Sequence, residues 1–436
     1  LDEARIYARE LGPLEVRSAF HESLQASLAC DASARSEEQL AELRAAFVAE
    51  TPQLAAQRTE LAKLRDELAG LRIPTTMVLQ ELATPRVTHL LRRGNFRDPG
   101  TELEADVPAA LHTFPESLPR NRLGLARWLV DPANPLVGRV TMNRAWETFF
   151  GNGLVATAED FGTQGDAPTH PELLDWLAVE FAERGWSQKA MHKLIVMSST
   201  YRQASHATPA ALEQDPLNRW LSRAPRLRLE AELVRDNALA IAGLLSPKIG
   251  GPSVMPPQPG GVWADSFATF DTPDEKWVDA TGEDRWRRGL YTYLRRSAAY
   301  PSALTFDASR RDVCVVRRSR SNTPLQSLIT LNDPVFVEAA IALGARMLRE
   351  VHGDIGARIR HGVRLCLART PTELEQGQLA GLYQRSRAGF AKDGDAAREF
   401  TQQGMVDVAG LDPIELAAWI VVANVLLNLD ETITKG

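Results

Sequence analysis

The stretch DPIELAAWIVVANVLLNL, residues 412–429, decides the fold class. Its apolar run, Leu416 to Leu429, is interrupted by Asn424 and Asn428 and falls short of the ~20 residues a membrane span needs. It therefore reads as the buried helix of a helical protein. Working outward, helices are predicted at 372–390, 355–368, 322–351 and 229–245. A clear one covers 170–184, with Thr169 and Glu172 spaced as a capping box, Pro171 in the first turn, and Leu173, Leu174, Leu177 and Phe181 on one face. Ser187 is placed to cap the next helix, with Trp186 and Met191 as its hydrophobic staple. Helices also end at Asp131-Pro132, after LGLARWLV, and at Gly151-Asn152-Gly153, after VTMNRAWETFF.

Toward the start of the chain, Leu40, Phe47, Leu54, Leu61 and Leu68 recur every seven residues, with Leu43, Leu64 and Leu71 at the companion position. That is an a/d seam. Thr51-Pro52 fits an N-cap and first helical residue, so two helices, 37–49 and 52–71, are expected to form an antiparallel hairpin packed along the seam. Residues 1–36 read as the tail of a preceding domain and 37–72 as the hairpin. The segment 73–120 reads as an extended connector, in which TTMVLQEL and RVTHLLRRG suggest two short strands. Residues 121–436 read as one large helical domain. Its long irregular insertion, 246–303, is rich in Pro, Gly and aromatics, among them Trp263, Phe267, Phe270, Trp277, Trp286, Tyr291, Tyr293 and Tyr300. The expected fold is mainly α, with a projecting hairpin and an insertion carrying a few short strands.

Of the 436 residues, 50 are Lys or Arg and 56 Asp or Glu, a net charge of −6, and the hydrophobic fraction is 44%. This composition excludes a disordered chain, a collagen and a disulfide-stapled miniprotein. A pI near 5.9 provides no global attraction to nucleic acid or anionic lipid, so neither a nucleic-acid partner nor a membrane span is expected. Arginine outnumbers lysine 43 to 7. The three cysteines, Cys30, Cys314 and Cys366, form no CxxC pair, so no zinc ribbon, redox dithiol or haem attachment is written here. The chain opens at Leu1 without a basic-then-apolar leader, which leads to the expectation that it is an internal fragment.

Several blocks resemble a known family: NRLGLARWLVDPANPLVGRVTMNRAWETFFGNGLV (121–155), TAEDFGTQGDAPTHPELLDWLAVEF (157–181), KLIVMSSTYRQ (193–203), RLRLEAELVRD (226–236), RRGLYTYLRR (287–296) and CVVRRSRSNTPLQSLITLNDPVFVEAA (314–340). They are similar to the planctomycete cytochrome-associated group that carries a C-terminal domain of unknown function, number 1553. The resemblance spans nearly all of 73–430. It implies a periplasmic or secreted setting, in a longer protein that often bears a cytochrome c-like region. This chain has no CxxCH motif, so no cofactor is assigned to it, and metal content is left open.

Three polar groups are candidates for chemistry. Asp160, Asp166 and His170, in a loop with Gln164, Thr169 and Asp175, could act as acid, base or metal ligands, or could satisfy loop amides. Arg139, Asn143, Arg144, Trp146 and Glu147 read as a ligand-binding helix face or as a buried hydrogen-bond network, the latter being the commoner arrangement. The third group surrounds LYTYLRR, whose alternation suggests a strand. Trp286 and Tyr291 could stack on a ring and Arg295, Arg310 and Arg311 hold an anionic group. The same arginines, with Arg317, Arg318 and Arg320, could instead pair with Asp307, Asp312 and Glu338. If the chain has a ligand site, it is expected where the 158–170 loop meets 291–320. The leading expectation is an extracytoplasmic binding or assembly module beside a redox or polysaccharide-processing partner. Protein or polysaccharide partners both fit. The competing expectation is a hydrolase or lyase acting on a complex, including sulfated, polysaccharide.

Overall fold

The computed structural model describes residues 24–71, 75–260, 277–295, 299–311 and 313–436. The chain divides into two compact units, 1–104 and 105–436. It is mainly α, and its described strands form two sheets of two strands each. Asp312, Trp263, Phe267 and Phe270 lie outside the described residues.

In the first unit, α1 (Glu37–Glu50) starts with a capping box between Ser36 and Gln39. The chain breaks at Thr51, a single 3-10 turn spans Pro52–Leu54, and α2 covers Ala55–Gly70. The break at Pro52 is as expected, although Thr51 caps through no side-chain hydrogen bond. The expected packing along the seam is not found. Phe47 is 63% exposed and Leu61, Leu64 and Leu68 are 47–68% exposed. Arg58 instead ties the corner, donating from Nη1 to the carbonyls of Val48 and Thr51 at 2.8 and 2.9 Å. It thereby satisfies the orphan acceptors at the end of α1. Of the two expected connector strands, RVTHLLRRG supplies β1 (Thr88–Leu91), antiparallel to β2 (Pro99–Leu103), whereas TTMVLQEL is exposed and makes no strand.

The second unit contains two apolar clusters. After α3 (Arg122–Leu129), the smaller joins α4 (Val137–Phe150), α5 (Pro171–Glu183) and α6 (Gln188–Met197), with Met142, Trp146, Leu177, Phe181 and Met191 at its centre. Ser187 caps α6 as expected. Thr169 does not cap α5: the helix begins at Pro171, so the N-cap position falls on His170, whose side chain makes no cap bond. The Thr169 N–H and hydroxyl both reach the Leu154 carbonyl, at 2.8 and 3.3 Å, and tie the loop down.

After the short α7 (Pro209–Gln214) and β3 (Leu227–Arg228), α8 (Ala231–Ala242) and α9 (Pro301–Thr305) lead to the larger cluster. The expected single helix at 322–351 is two, α10 (Pro324–Asn332) and α11 (Pro334–Glu350), bent by 59°. Pro334 cannot continue the i−4 ladder, and Asp333 accepts the Val335 N–H at 3.0 Å as the cap of the new helix. Then come α12 (Ile355–Leu367), α13 (Glu373–Phe390), α14 (Gly394–Thr401), α15 (Pro413–Leu427) and β4 (Thr434–Lys435), which pairs with β3.

α15 is apolar all round and accordingly lies inside, against α11, α13 and α14. Trp419, Ile420, Val422 and Leu426 have no exposed surface. Gly344 of α11 lets the two backbones meet, since a Cβ there would stand 3.1 Å from the Ile420 nitrogen. Among the described residues no single helix is long and apolar enough to cross a membrane, although the bent α10–α11 pair passes by length and composition. Much of α11 is core.

Among the described residues a charge pair is buried in this unit. Glu338 of α11, 2% exposed, accepts both Arg285 Nε contacts at 2.9 and 3.0 Å and the Met405 N–H at 2.6 Å. Removing the carboxylate leaves a buried guanidinium and a buried amide uncompensated, so Glu338→Ala is expected to destabilise the fold by about 3–5 kcal/mol. Chemical denaturation of the variant checks this, and a change below about 1 kcal/mol would show that water reaches the pair.

Candidate functional site

The polar clusters read from the sequence have different fates. Asp160 and Asp166 are exposed. Asp160 accepts the Gly162 N–H at 3.2 Å, the Asp166 N–H donates to Thr157 Oγ1 at 2.8 Å, and His170 Nδ1 lies 3.0 Å from Thr169 Oγ1. These bonds shape the loop. Asn143, 1% exposed, closes a two-bond pair with Val155 at 2.8 and 3.0 Å, so the buried-network reading of that residue holds. Arg139 pairs with Asp175 at 2.7 Å.

LYTYLRR is not a strand. It starts in a 3-10 turn, Gly289–Tyr291, and among the described residues pairs only through an isolated bridge between Val254 and Thr292. Its role is anchoring. Arg287, 1% exposed, donates to the Gly250 and Pro252 carbonyls at 2.5 and 3.0 Å and stacks 3.7 Å over the Tyr291 ring. The Tyr291 hydroxyl accepts the Gly250 N–H at 2.7 Å. One face of Tyr291 and its hydroxyl are thus committed to holding the 248–252 loop. Trp286 is half-buried, Arg310 is exposed, and Arg295 is half-buried. Asp307 accepts from the backbone and hydroxyl of Ser321, both at 2.8 Å, and among the described residues pairs with no arginine of the segment.

Glu147 of α4 lies between charges of both stretches, Glu159 of the loop and Arg317 and Arg320 of the arginine-rich segment. This carboxyl is 12% exposed and lies 3.7 Å from Arg317. Burial pushes its pKa up, Arg317, Arg320 and Arg144 pull it down, and Glu159 of the loop pushes it up again.

A distinct pocket of about 70 Å³ lies where α8, the 289–294 turn, α9 and the start of α11 meet. It has room for several water-sized occupants. Ala231, Leu290, Ala303, Phe306, Val335 and Phe336 make its walls apolar, and Glu232, Arg235, Tyr300, Ser302, Arg311 and Arg318 supply its polar groups. Arg311 is the one expected site residue that lines it.

α8 carries the decisive side chain. Arg235 is 6% exposed; its Nη2 donates to the Arg285 carbonyl at 2.9 Å, while Nε and Nη1 are buried with no hydrogen-bond partner. Burial pushes its pKa down from the ordinary arginine value, opposed by Tyr300, Asp236, Asp333 and Glu338. None of these four accepts a hydrogen bond from Nε or Nη1. At the rim, Arg318 binds Glu232 bidentately at 2.6 and 3.0 Å. Burial works to raise the Glu232 pKa, but the Arg318 hydrogen bonds, a backbone hydrogen bond and the charges of Arg318 and Arg311 together outweigh it and leave the carboxylate below its usual range.

The neighbouring turn is fixed by Asp236, which accepts the Gly289 N–H at 2.6 Å and Arg288 Nε at 3.0 Å. Gly289 is required there, because a Cβ would stand 2.9 Å from the Glu232 Cα. On the far side the Ser302 hydroxyl donates to Asp333, and Tyr300 donates to the Pro257 carbonyl at 2.8 Å. Burial pushes both the Asp333 and the Tyr300 pKa up. The arrangement can accept an anionic group on Arg235 and an apolar body against its walls. Among the described residues no group of three His, Cys, Asp or Glu is placed to hold a metal ion.

Arg235 was not singled out from the sequence, although RLRLEAELVRD contained it. The available signal was a charge at 235 on the helix stripe of Ala231, Ala238 and Ala242, which is otherwise small and apolar.

Asp333 gives this site a signed pH dependence. Its folded pKa lies above the ordinary 3.8, so the native state binds more protons than the unfolded chain in the window above that value. Stability therefore falls as pH rises through the window and levels off above the raised pKa. Asp333→Asn is expected to remove that fall, so its melting temperature should gain on wild type as the pH rises from about 3.8 toward neutrality. Parallel melting curves across a calorimetric pH series would count against it.

No curated protein and no solved structure matches the chain. Residues 121–383, which include every wall of this pocket, match the family model PSD1, a protein of unknown function (DUF1553), and the chain belongs to that family.

Proposed function

We propose that this chain is a binding module whose pocket takes the anionic group of a ligand, with an apolar portion of the same ligand against Phe306 and Phe336. The observation that carries this reading is Arg235: a guanidinium buried on α8, lining the pocket, with Nε and Nη1 unpartnered. A buried charge left in that state is costly, and a carboxylate or sulfate oxygen accepting from Nε or from Nη1 would offset that cost with a charge-assisted hydrogen bond. The resemblance to a cytochrome-associated group supports an extracytoplasmic setting, beside a redox or polysaccharide-processing partner.

A second reading has one observation in its favour. Ser302 lines the pocket and donates to Asp333, whose carboxyl has a raised pKa. Such a pair could serve a hydrolase or lyase acting on a complex, including sulfated, polysaccharide. No histidine lines the pocket to act as a base, so the binding reading is preferred.

Acetate and sulfate, each compared with chloride at matched ionic strength, are the probes. Binding to the native state alone contributes about 1.4 kcal/mol at ten times Kd. The wild-type melting temperature is expected to rise with acetate or sulfate. In Arg235→Met, which keeps the apolar stem and removes the charge, that rise should vanish while the variant itself stays folded. An equal rise in both proteins would show general salting effects and overturn the proposal, as would no rise in either. Release of reducing or unsaturated sugar ends from sulfated polysaccharide, abolished in Ser302→Ala, would favour the second reading.

A further inference from the structure

Helix α2 has no buried residue along its 16 positions. Its apolar stripe is solvated: Leu61 is 47%, Leu64 51%, Leu68 68% and Leu71 at its end 64% exposed. Helix α1 does not cover this stripe. A lone helix of this length is marginal in water, so the stripe calls for a partner helix, and the charges beside it specify which.

With Leu54, Leu61 and Leu68 at a and Leu64 and Leu71 at d, the flanking e positions are Arg58 and Arg65. The g positions are Gln53, Glu60 and Glu67. One flank is basic and the other mostly acidic. In a parallel pair each g residue faces the e residue five positions later on the partner, which sets Glu60 against Arg65 twice by symmetry. In an antiparallel pair g faces g and e faces e, setting glutamates against glutamates and arginines against arginines. Glu60 and Arg65 are exposed, and neither has an ion-pair or hydrogen-bond partner for its side chain. Arg58 is already engaged with the α1 carbonyls, which leaves Glu60–Arg65 as the specifying contact.

We propose that α2 pairs in parallel with α2 of a second copy of this chain, as a short two-stranded coiled coil. Its little more than two heptads make the association weak and concentration-dependent.

Sedimentation equilibrium of the full chain tests this. The expected mass rises with concentration from one chain, 48.0 kDa, toward two. Leu61→Ala together with Leu68→Ala should hold the mass at one chain, and because alanine keeps helix propensity the far-UV circular dichroism and melting should stay close to wild type. Glu60→Arg alone and Arg65→Glu alone should each associate several-fold more weakly than wild type, and an equimolar mixture of the two should recover the loss. A single-chain mass at every concentration, a three-chain mass, or a mixture no better than its components would overturn the proposal.

Discussion

The larger unit depends on burying α15, a helix apolar on every side. Such a helix has no face it can show to water, so neighbours must surround it. α11 approaches closely at Gly344, and α13 and α14 cover other faces. α13 also makes a polar contact at the start of α15: Tyr383 stacks on Trp419 with ring centroids 4.5 Å apart, and its hydroxyl donates to Glu415 at 2.5 Å. The outer face of α11 is then free to receive α8. The pocket is a consequence of that layering, since it lies where α8, α9 and the start of α11 fail to close on one another.

The polar groups between these layers are not scattered. Arg285 holds Glu338, Asp236 holds the Gly289 turn, and Asp333 receives Ser302 while capping α11. Each carboxylate is committed to a partner other than Arg235. That is the physical reason this guanidinium remains underused: the four groups that favour its charge are close enough to act through space, but their hydrogen bonds go elsewhere. Buried donors are ordinarily satisfied within the protein, so an under-bonded guanidinium on a residue that lines a cavity is better suited to recognition than to stability.

The helical character was legible in the sequence because it rests on local signals. Ser187 marks a helix start, and the run 413–427 could lie only inside a core. Local signals also explain two errors. Asp333-Pro334 is a cap-and-proline pair that divides one expected helix in two, and Pro171 moves the cap position from Thr169 to His170. The alternation of LYTYLRR suggested a strand, yet among the described residues it pairs only through the isolated bridge at Thr292. A strand exists by virtue of its partner, and here Tyr291 braces Arg287 instead.

By itself the sequence determined the helices, the proline breaks, the all-apolar central helix and the charge order along α2, because each follows from residues within a few turns of one another. Only the tertiary structure decided which charges are satisfied. Arg235 and Arg285 are 50 residues apart, and Arg285 is a further 53 from Glu338. Nothing in local spacing tells which guanidinium finds a carboxylate and which faces an open pocket. Hydrogen-bond satisfaction depends on three-dimensional neighbours, and here those neighbours come from Arg285, Tyr300 and the start of α11, separate segments packed around α8.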